Sequence, residues 1–335
     1  MKKTLLIFVS IVLIVVLSTI LFSCVNTVKE QTPNDGYYVL CYFRGEYDGM
    51  LEQQSVHLAI SSNGYDFTPL NDNEPMIEQT LGKKNCRDPF LFKANDKYYI
   101  LATDMDSKEG WLSNHSLVMW ESTDLITWTN ERIFEFHDYE GFENANRVWA
   151  PQVVYDSNVG KYMVYLTLSV FTDENGDGED DDITYIRYGY LNEDFTKIEN
   201  IKDLFKASDG TPVIDADIVK EGDTYYMYYK YEGNIYCATS KSLTGPYDDS
   251  NATKVSHNKK GCEGSFMYKL KGTDTYLMIF DEYGKNKYTM QTTTSSSMMD
   301  FSKLSSKCYA LSFHPKHANV LEVDENTYNT LKELV

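Results

Sequence analysis

The sequence predicts an all-β protein, a five-bladed β-propeller of four-stranded blades whose ring is closed by strands from both ends of the chain. Three observations predict it. The 335 residues include 27 Tyr, 16 Phe and 4 Trp, and aromatic and β-branched residues favour strands. One hairpin unit returns four times, with starts spaced by about fifty to sixty-five residues, the length of a four-stranded blade. Matching half-units stand at the two ends, so that joining them makes a fifth blade and removes exposed sheet edges.

The units can be taken in order. Residues 88–104 read DPFLFKANDKYYILATD, with a turn at Asn95 and Asp96. Residues 150–168 read APQVVYDSNVGKYMVYLTL, turning between Asp156 and Gly160. Residues 215–231, DADIVKEGDTYYMYYKY, and 263–280, EGSFMYKLKGTDTYLMIF, repeat the plan. Each is a pair of strand-like runs around a polar turn. Outer hairpins follow in LVMWESTDLITWTNERIF, TYIRYGYLNEDFTKI and IYCATSKSLTGPYDD. The end fragments are YYVLCYF with VHLAISSNGYDFTPL, and HANVLEVD. A pair of sandwiches built from similar hairpins is the alternative. No long amphipathic helix and no internal linker interrupt the pattern.

Residues 1–24 are expected to lie outside the fold. Lys2 and Lys3 precede an apolar run from Leu5 to Phe22 that ends in Leu21-Phe22-Ser23-Cys24, the layout of a secretory signal. The tetrapeptide resembles a bacterial lipobox, in which Cys24 becomes the lipidated first residue; an uncleaved anchor helix is the alternative. Either places the chain outside the cytoplasm, tethered to a membrane or secreted, with 25–35 as linker and 36–335 as propeller. The remaining Cys41, Cys86, Cys237, Cys262 and Cys308 are odd in number and lack CxxC spacing. A zinc cluster is unsupported, and buried structural thiols are expected.

The formal net charge of -19 argues against nucleic acid as a partner, since phosphate binding needs clustered Lys and Arg. A neutral polysaccharide is compatible.

Three acids open the repeated hairpins: Asp88 in RDPFLF, Asp215 in VIDADIV and Glu263 in GCEGSFMYKL. They are read as falling at the same point of the repeat, and so converge if the repeats surround an axis. Cleaving a glycosidic bond needs one acid to protonate the leaving oxygen and a carboxylate on the other side of the ring. A third carboxylate beside the acid raises its pKa by like-charge repulsion. Three acids on inner strands therefore suffice for a glycosidase. Other readings exist: Asp88 before Pro89 also makes a turn starter, and Asp217 shares a strand face with Asp215.

The order RDPF, VWAP, IDADI, CEGS and KHANV resembles glycoside hydrolase family 43, secreted five-bladed propellers that hydrolyse arabinose- and xylose-containing polysaccharides with inversion. The likeness extends to YFRG, HLAISSNGYDFTPLN, WESTDLITW and DEYGKNKY, nearly all of the chain after the signal. It implies Asp88 as general base, Asp215 as the residue that tunes and orients the acid, and Glu263 as general acid. It also implies Trp149 and Phe90 as substrate contacts, and His317 as the histidine entering the central channel, where family members often place a metal or water. The implied activity is that of an α-L-arabinofuranosidase, with β-xylosidase and arabinanase as alternatives, working as a monomer without a required cofactor. A non-catalytic carbohydrate-binding propeller is the alternative from another class. Two departures stand out. Ser265 replaces the usual proline after Glu-Gly, and Lys316-His317-Ala318 replaces Arg-His-Gly, which removes the planar fork of arginine.

The segment DENGDGEDDD offers the oxygen donors of a structural calcium loop in Asp173, Asn175, Asp177, Glu179 and Asp181. Position twelve is Thr184 in place of the bidentate Glu, and a solvated acidic loop is the alternative.

Overall fold

The computed structural model describes residues 36–44, 54–173, 176, 184–257, 260–283, 285 and 287–335. The expected leader with Cys24, the linker 25–35, and Asn175, Asp177, Glu179 and Asp181 of the acidic loop lie outside the described residues.

Among the described residues, twenty strands form five four-stranded antiparallel sheets. The first complete blade runs β4 (Cys86–Ala94), β5 (Lys97–Asp104), β6 (Ser116–Ser122) and β7 (Thr129–Glu135) from its inner to its outer edge. The second contains β8 (Ala145–Asp156), β9 (Lys161–Val170), β10 (Tyr185–Leu191) and β11 (Ile198–Phe205). The third contains β12 (Ile214–Glu221), β13 (Thr224–Tyr231), β14 (Asn234–Ser240) and β15 (Asp248–Lys254). The fourth contains β16 (Cys262–Lys269), β17 (Thr275–Glu282), β18 (Lys287–Thr294) and β19 (Ser302–Lys303).

The last blade joins the chain ends as expected. β20 (Lys316–Val323) pairs with β1 (Tyr37–Phe43), which is followed outward by β2 (His57–Ser61) and β3 (Thr68–Pro69). Val39 faces Leu321 and Cys41 faces Asn319 across that seam. The inner strands touch in turn, β4 to β8, β8 to β12, β12 to β16, β16 to β20 and β20 back to β4, so the ring is closed and each inner strand lies against its two neighbours around the axis.

Five apolar clusters fill the spaces between successive blades. One joins Phe92, Leu101 and Phe134 to Val164, Leu166 and Phe195; another joins Val39 and Leu58 to Ile100 and Trp120. Where a sheet is covered on both faces its middle strands are buried almost throughout, as in β5 and β17, which are buried at every residue after the first. This is why these strands read as continuous Tyr, Leu, Ile and Met runs instead of alternating ones. Each Leu or Ile removed from water contributes about 1.5–3 kcal/mol.

Turn chemistry matches the sequence. Asn95 and Asp96 both take positive φ, +48° and +61°, between the facing residues Ala94 and Lys97, the tight turn that suits strand twist. The loops SSNG and ESTD fold alike: Asn63 Oδ1 accepts from the Tyr65 and Asp66 N–H groups, and Asp124 Oδ1 from Ile126 and Thr127. A short C-terminal helix, Glu325–Lys332, is capped by Asp324 Oδ1 accepting from Thr327 N at 2.8 Å. Cys41, Cys86, Cys237 and Cys262 are buried and Cys308 is half-buried.

Candidate active site

Every inner strand is broken at the same place. Arg87 faces Thr103 and Phe90 faces Leu101, so one extra residue is inserted on the inner strand, a β-bulge. The same insertion separates Trp149 from Gln152, Ile214 from Asp217, Glu263 from Phe266, and Lys316 from Asn319. The second residue of each bulge takes a left-handed φ: Asp88 +49°, Ala150 +50°, Asp215 +57°, Gly264 +59° and His317 +39°. For non-glycine residues this costs about 1–2 kcal/mol each, and such strain collects at functional sites.

The repeat phase of the acids needs one correction. Asp88 and Asp215 share the left-handed bulge position, but Glu263 stands one residue earlier, in phase with Arg87, Trp149, Ile214 and Lys316. A Cβ at position 264 would lie 2.9 Å from Cγ of His317, so this blade takes glycine in the bulge and carries its acid on the residue before.

The bulges turn their side chains into one cavity of about 350 Å³, lined by Asp88, Asp215, Glu263, Trp149 and His317 together with Arg87, Trp111, Lys230, Tyr283 and Lys316. That size is typical of a small-molecule pocket.

Hydrogen bonds between blades fix the bulges. The Ala150 N–H donates to Thr103 Oγ1 at 2.9 Å, Asp215 N–H to Thr167 Oγ1 at 3.0 Å, and His317 N–H to Asp281 Oδ2 at 2.8 Å. These acceptors stand opposite Arg87, Trp149 and Glu263. The equivalent place opposite Ile214 holds Lys230, which has no acceptor. The Asp215 carboxylate itself therefore takes the next N–H, that of Gly264, at 3.1 Å. Lys230 Nζ instead donates to Glu263 Oε2 at 2.6 Å. One cation in an acceptor's place thus ties Asp215 and Glu263 into a single arrangement.

Asp88 is held by Thr103 Oγ1, which donates to Oδ2 at 2.9 Å, and by His317 Nδ1, 3.1 Å from Oδ1. Burial alone would raise the Asp88 carboxyl, but His317, Arg87 and the Thr103 hydroxyl hold it below the usual range. Burial would lower His317, yet Asp88, Asp215 and Asp281 push it up to about 9. Burial raises Asp215 to about 6, with Glu263 and Asp88 adding to the rise and His317 and Lys230 opposing it. The cavity thus holds an ionised carboxylate, Asp88, 3.1 Å from a cationic imidazole, and a second carboxyl, Asp215, that gives up its proton only near pH 6.

Two expectations are decided by packing. Phe90 does not line the cavity; it is buried against Phe92 and Phe266 in the interblade core. Its side chain alternates to the opposite face from the bulge, so the substrate contact expected of it is withdrawn. Asp217, the alternative to Asp215, is 2% exposed and its Oδ2 accepts the Met267 N–H at 2.8 Å, which makes it a clasp between blades. Burial drives its carboxyl up to about 8.

Sequence reading missed Trp111, Arg87, Lys230 and Tyr283. Trp111 comes from the β5–β6 loop, packs edge-on against Trp149 with ring centres 6.5 Å apart, and is 52% exposed. The Arg87 guanidinium lies 5.1 Å from the Trp111 ring and 4.6 Å from Phe43. Lys230 was within reach of sequence reasoning: counting back from the Gly222-Asp223 turn and allowing one bulge residue sets it opposite Ile214. Trp111 carries no such signal, because loop residues have no register.

His317 spends Nδ1 on Asp88, and among the described residues no group of three potential metal ligands includes it. Of the acidic loop, the described Asp173 is exposed.

A closed ring of five blades that brings Asp88, Asp215 and Glu263 to one cavity is a five-bladed β-propeller with a candidate active site between its inner strands. A family model described as a probable glycosyl hydrolase domain, related to glycoside hydrolase family 43, matches residues 35–329, and the chain belongs to that family. It is 26% identical over 246 residues to an α-L-arabinofuranosidase of Bifidobacterium longum subsp. longum, a match covering 65% of this chain and 22% of that protein. It is 25% identical over 246 residues to an extracellular endo-α-(1→5)-L-arabinanase of Thermotoga petrophila, covering 65% and 49%. The chain therefore spans about a fifth and about half of these two curated relatives. The fold matches the Cellvibrio cellulosa α-L-arabinanase complexed with arabinohexaose at TM-score 0.54 and 15% identity, covering 90% of this chain and 95% of that one.

Proposed function

We propose that the protein hydrolyses α-L-arabinofuranosyl linkages of arabinose-containing polysaccharides by an inverting single displacement, releasing terminal pentose. The observation that carries this reading is the convergence of Asp88, Asp215 and Glu263 on one cavity in a member of a glycosyl hydrolase family. The names of the two curated relatives supply the sugar.

In this reading Asp88, kept ionised, takes a proton from the attacking water while the Thr103 hydroxyl and His317 fix its two oxygens. Glu263 protonates the leaving oxygen from Oε1, because Lys230 occupies Oε2. Asp215, bonded to the Gly264 N–H, fixes the backbone beside the acid and supplies nearby negative charge. Trp149 and Trp111 form an apolar corner for the sugar face. No cofactor takes part in these steps. The lipobox-like Leu21-Phe22-Ser23-Cys24 supports the further reading that the enzyme works outside the cytoplasm on a lipid anchor, which lipid labelling of a Cys24→Ala variant tests.

The reading is tested by incubating the full-length chain with aryl α-L-arabinofuranoside, aryl β-D-xyloside, arabinan and arabinoxylan. Arabinose as the first and only small product supports it. Xylose release moves the sugar assignment to β-xylosidase, early oligosaccharides move the mode of action to endo, and silence on every substrate favours a binding propeller.

A further inference from the structure

We propose that the outer part of the first complete blade carries a transition-metal site, of the kind that takes zinc, formed by His115, Glu135 and His137. The three offer ligand atoms that all lie within 4.8 Å of one another. His115 precedes β6, Glu135 ends β7, and His137 lies in the one-turn helix Phe136–Asp138 that begins the crossover to β8. None of them lines the active-site cavity.

Three details point to a cation. First, the imidazoles of His115 and His137 stack with centres 4.3 Å apart and an interplanar angle of 22°, and both look onto the same carboxylate oxygen. His115 Nδ1 is 2.7 Å from Glu135 Oε1, and His137 Nδ1 is 3.9 Å from it. A tetrahedral ion about 2.0 Å from each donor sets neighbouring donors about 3.3 Å apart, between the two distances seen, so small side-chain rotations complete the set. Second, His137 Nε2 lies 2.8 Å from the Ala145 carbonyl. That bond puts the ring proton on Nε2 and leaves the Nδ1 lone pair facing Glu135, the backing that metal-bound histidines characteristically have. Third, His115, Glu135 and His137 side chains are 32%, 31% and 40% exposed, so an ion can enter and a water can take the fourth position.

Two imidazoles and a carboxylate select zinc-like dications over calcium, which prefers an all-oxygen shell. The site also has a mechanical consequence. Asn114, beside His115, accepts the Val148 N–H through Oδ1 at 2.6 Å, and the loop bearing Trp111 ends there. A bound ion would pin the base of that loop to the crossover that leads into Trp149.

The test uses the full-length chain in detergent, stripped with chelator and titrated with zinc. One equivalent is expected to bind, and X-ray absorption at the zinc edge should show imidazole scattering from two histidines. His115→Ala and His137→Asn should each weaken binding by at least tenfold. Oxygen-only coordination in the parent would overturn the proposal by assigning the ion to an acidic segment. So would unchanged affinity in both variants, or no saturable binding. The absorption spectrum needs no variant, so a misfolded substitution does not shield the claim.

Discussion

His317 Nδ1 stands 3.1 Å from Asp88 Oδ1, and both residues occupy the left-handed position of their bulges on adjacent inner strands. The pair seals the ring where the last blade meets the first complete one, and it keeps the proposed base charged. Its pH signature follows from His317, whose pKa of about 9 lies above the ordinary 6.5. Stabilisation from that group is full below about 6.5 and is lost as pH rises through about 9. Urea unfolding of the parent should therefore show stability falling across that window, and His317→Gln should flatten the fall. An equal slope in the variant would contradict the pairing.

Asp217 shows linkage of the same sign, produced by burial of a carboxyl in place of pairing of an imidazole. Its folded pKa of about 8 exceeds the ordinary 3.8, so the folded state holds a proton that the unfolded chain releases, and stability declines as pH rises between those values. Asp217→Asn keeps an oxygen for the Met267 N–H and removes the charge. It should stabilise the protein at pH 8 by on the order of 1–2 kcal/mol, with activity within about twofold of the parent. A large loss of activity with folding intact would return Asp217 to the catalytic set.

Lys230 holds Glu263 through one oxygen. Lys230→Met leaves the acid without its fixed partner, and misplacement of a reacting group by about 1 Å costs roughly a hundredfold in rate. Steady-state kinetics should show the loss in kcat with KM little changed. A pure KM effect would make Lys230 a substrate contact instead.

Ser265 is 1% exposed and its hydroxyl finds no hydrogen-bond partner among the described residues. Its counterparts at the third bulge position are Pro89, Pro151, Ala216 and Ala318, so the backbone there accepts proline in two blades. Ser265→Pro should raise stability by about 0.5–1 kcal/mol through the unfolded chain alone, visible as a higher urea midpoint with the same slope. A lower midpoint would mean that this bulge differs from the other two.

Much of the ring was legible because its strands obey local rules. The Asn95-Asp96 turn, the SSNG and ESTD loops and the end fragments 37–43 and 317–324 announce themselves by turn chemistry and apolar runs. The five-fold bulge was not legible, since an inserted residue leaves no compositional mark. Reading the hairpins as regular placed Glu263 in phase with Asp88, and the family resemblance gave Phe90 to the cavity; the bulge moves the one and the interblade core takes the other. The Glu325–Lys332 helix also escaped notice, although Asp324 three residues before Thr327 is a capping signal.

The central claim, that the axial carboxylates hydrolyse an arabinosyl linkage, is tested most directly by comparing the parent with Asp88→Asn and Glu263→Gln on arabinan, with folding checked by circular dichroism. The account predicts arabinose release by the parent and a fall of at least a hundredfold in kcat/KM for each variant. Release that persists undiminished in both folded variants would contradict it.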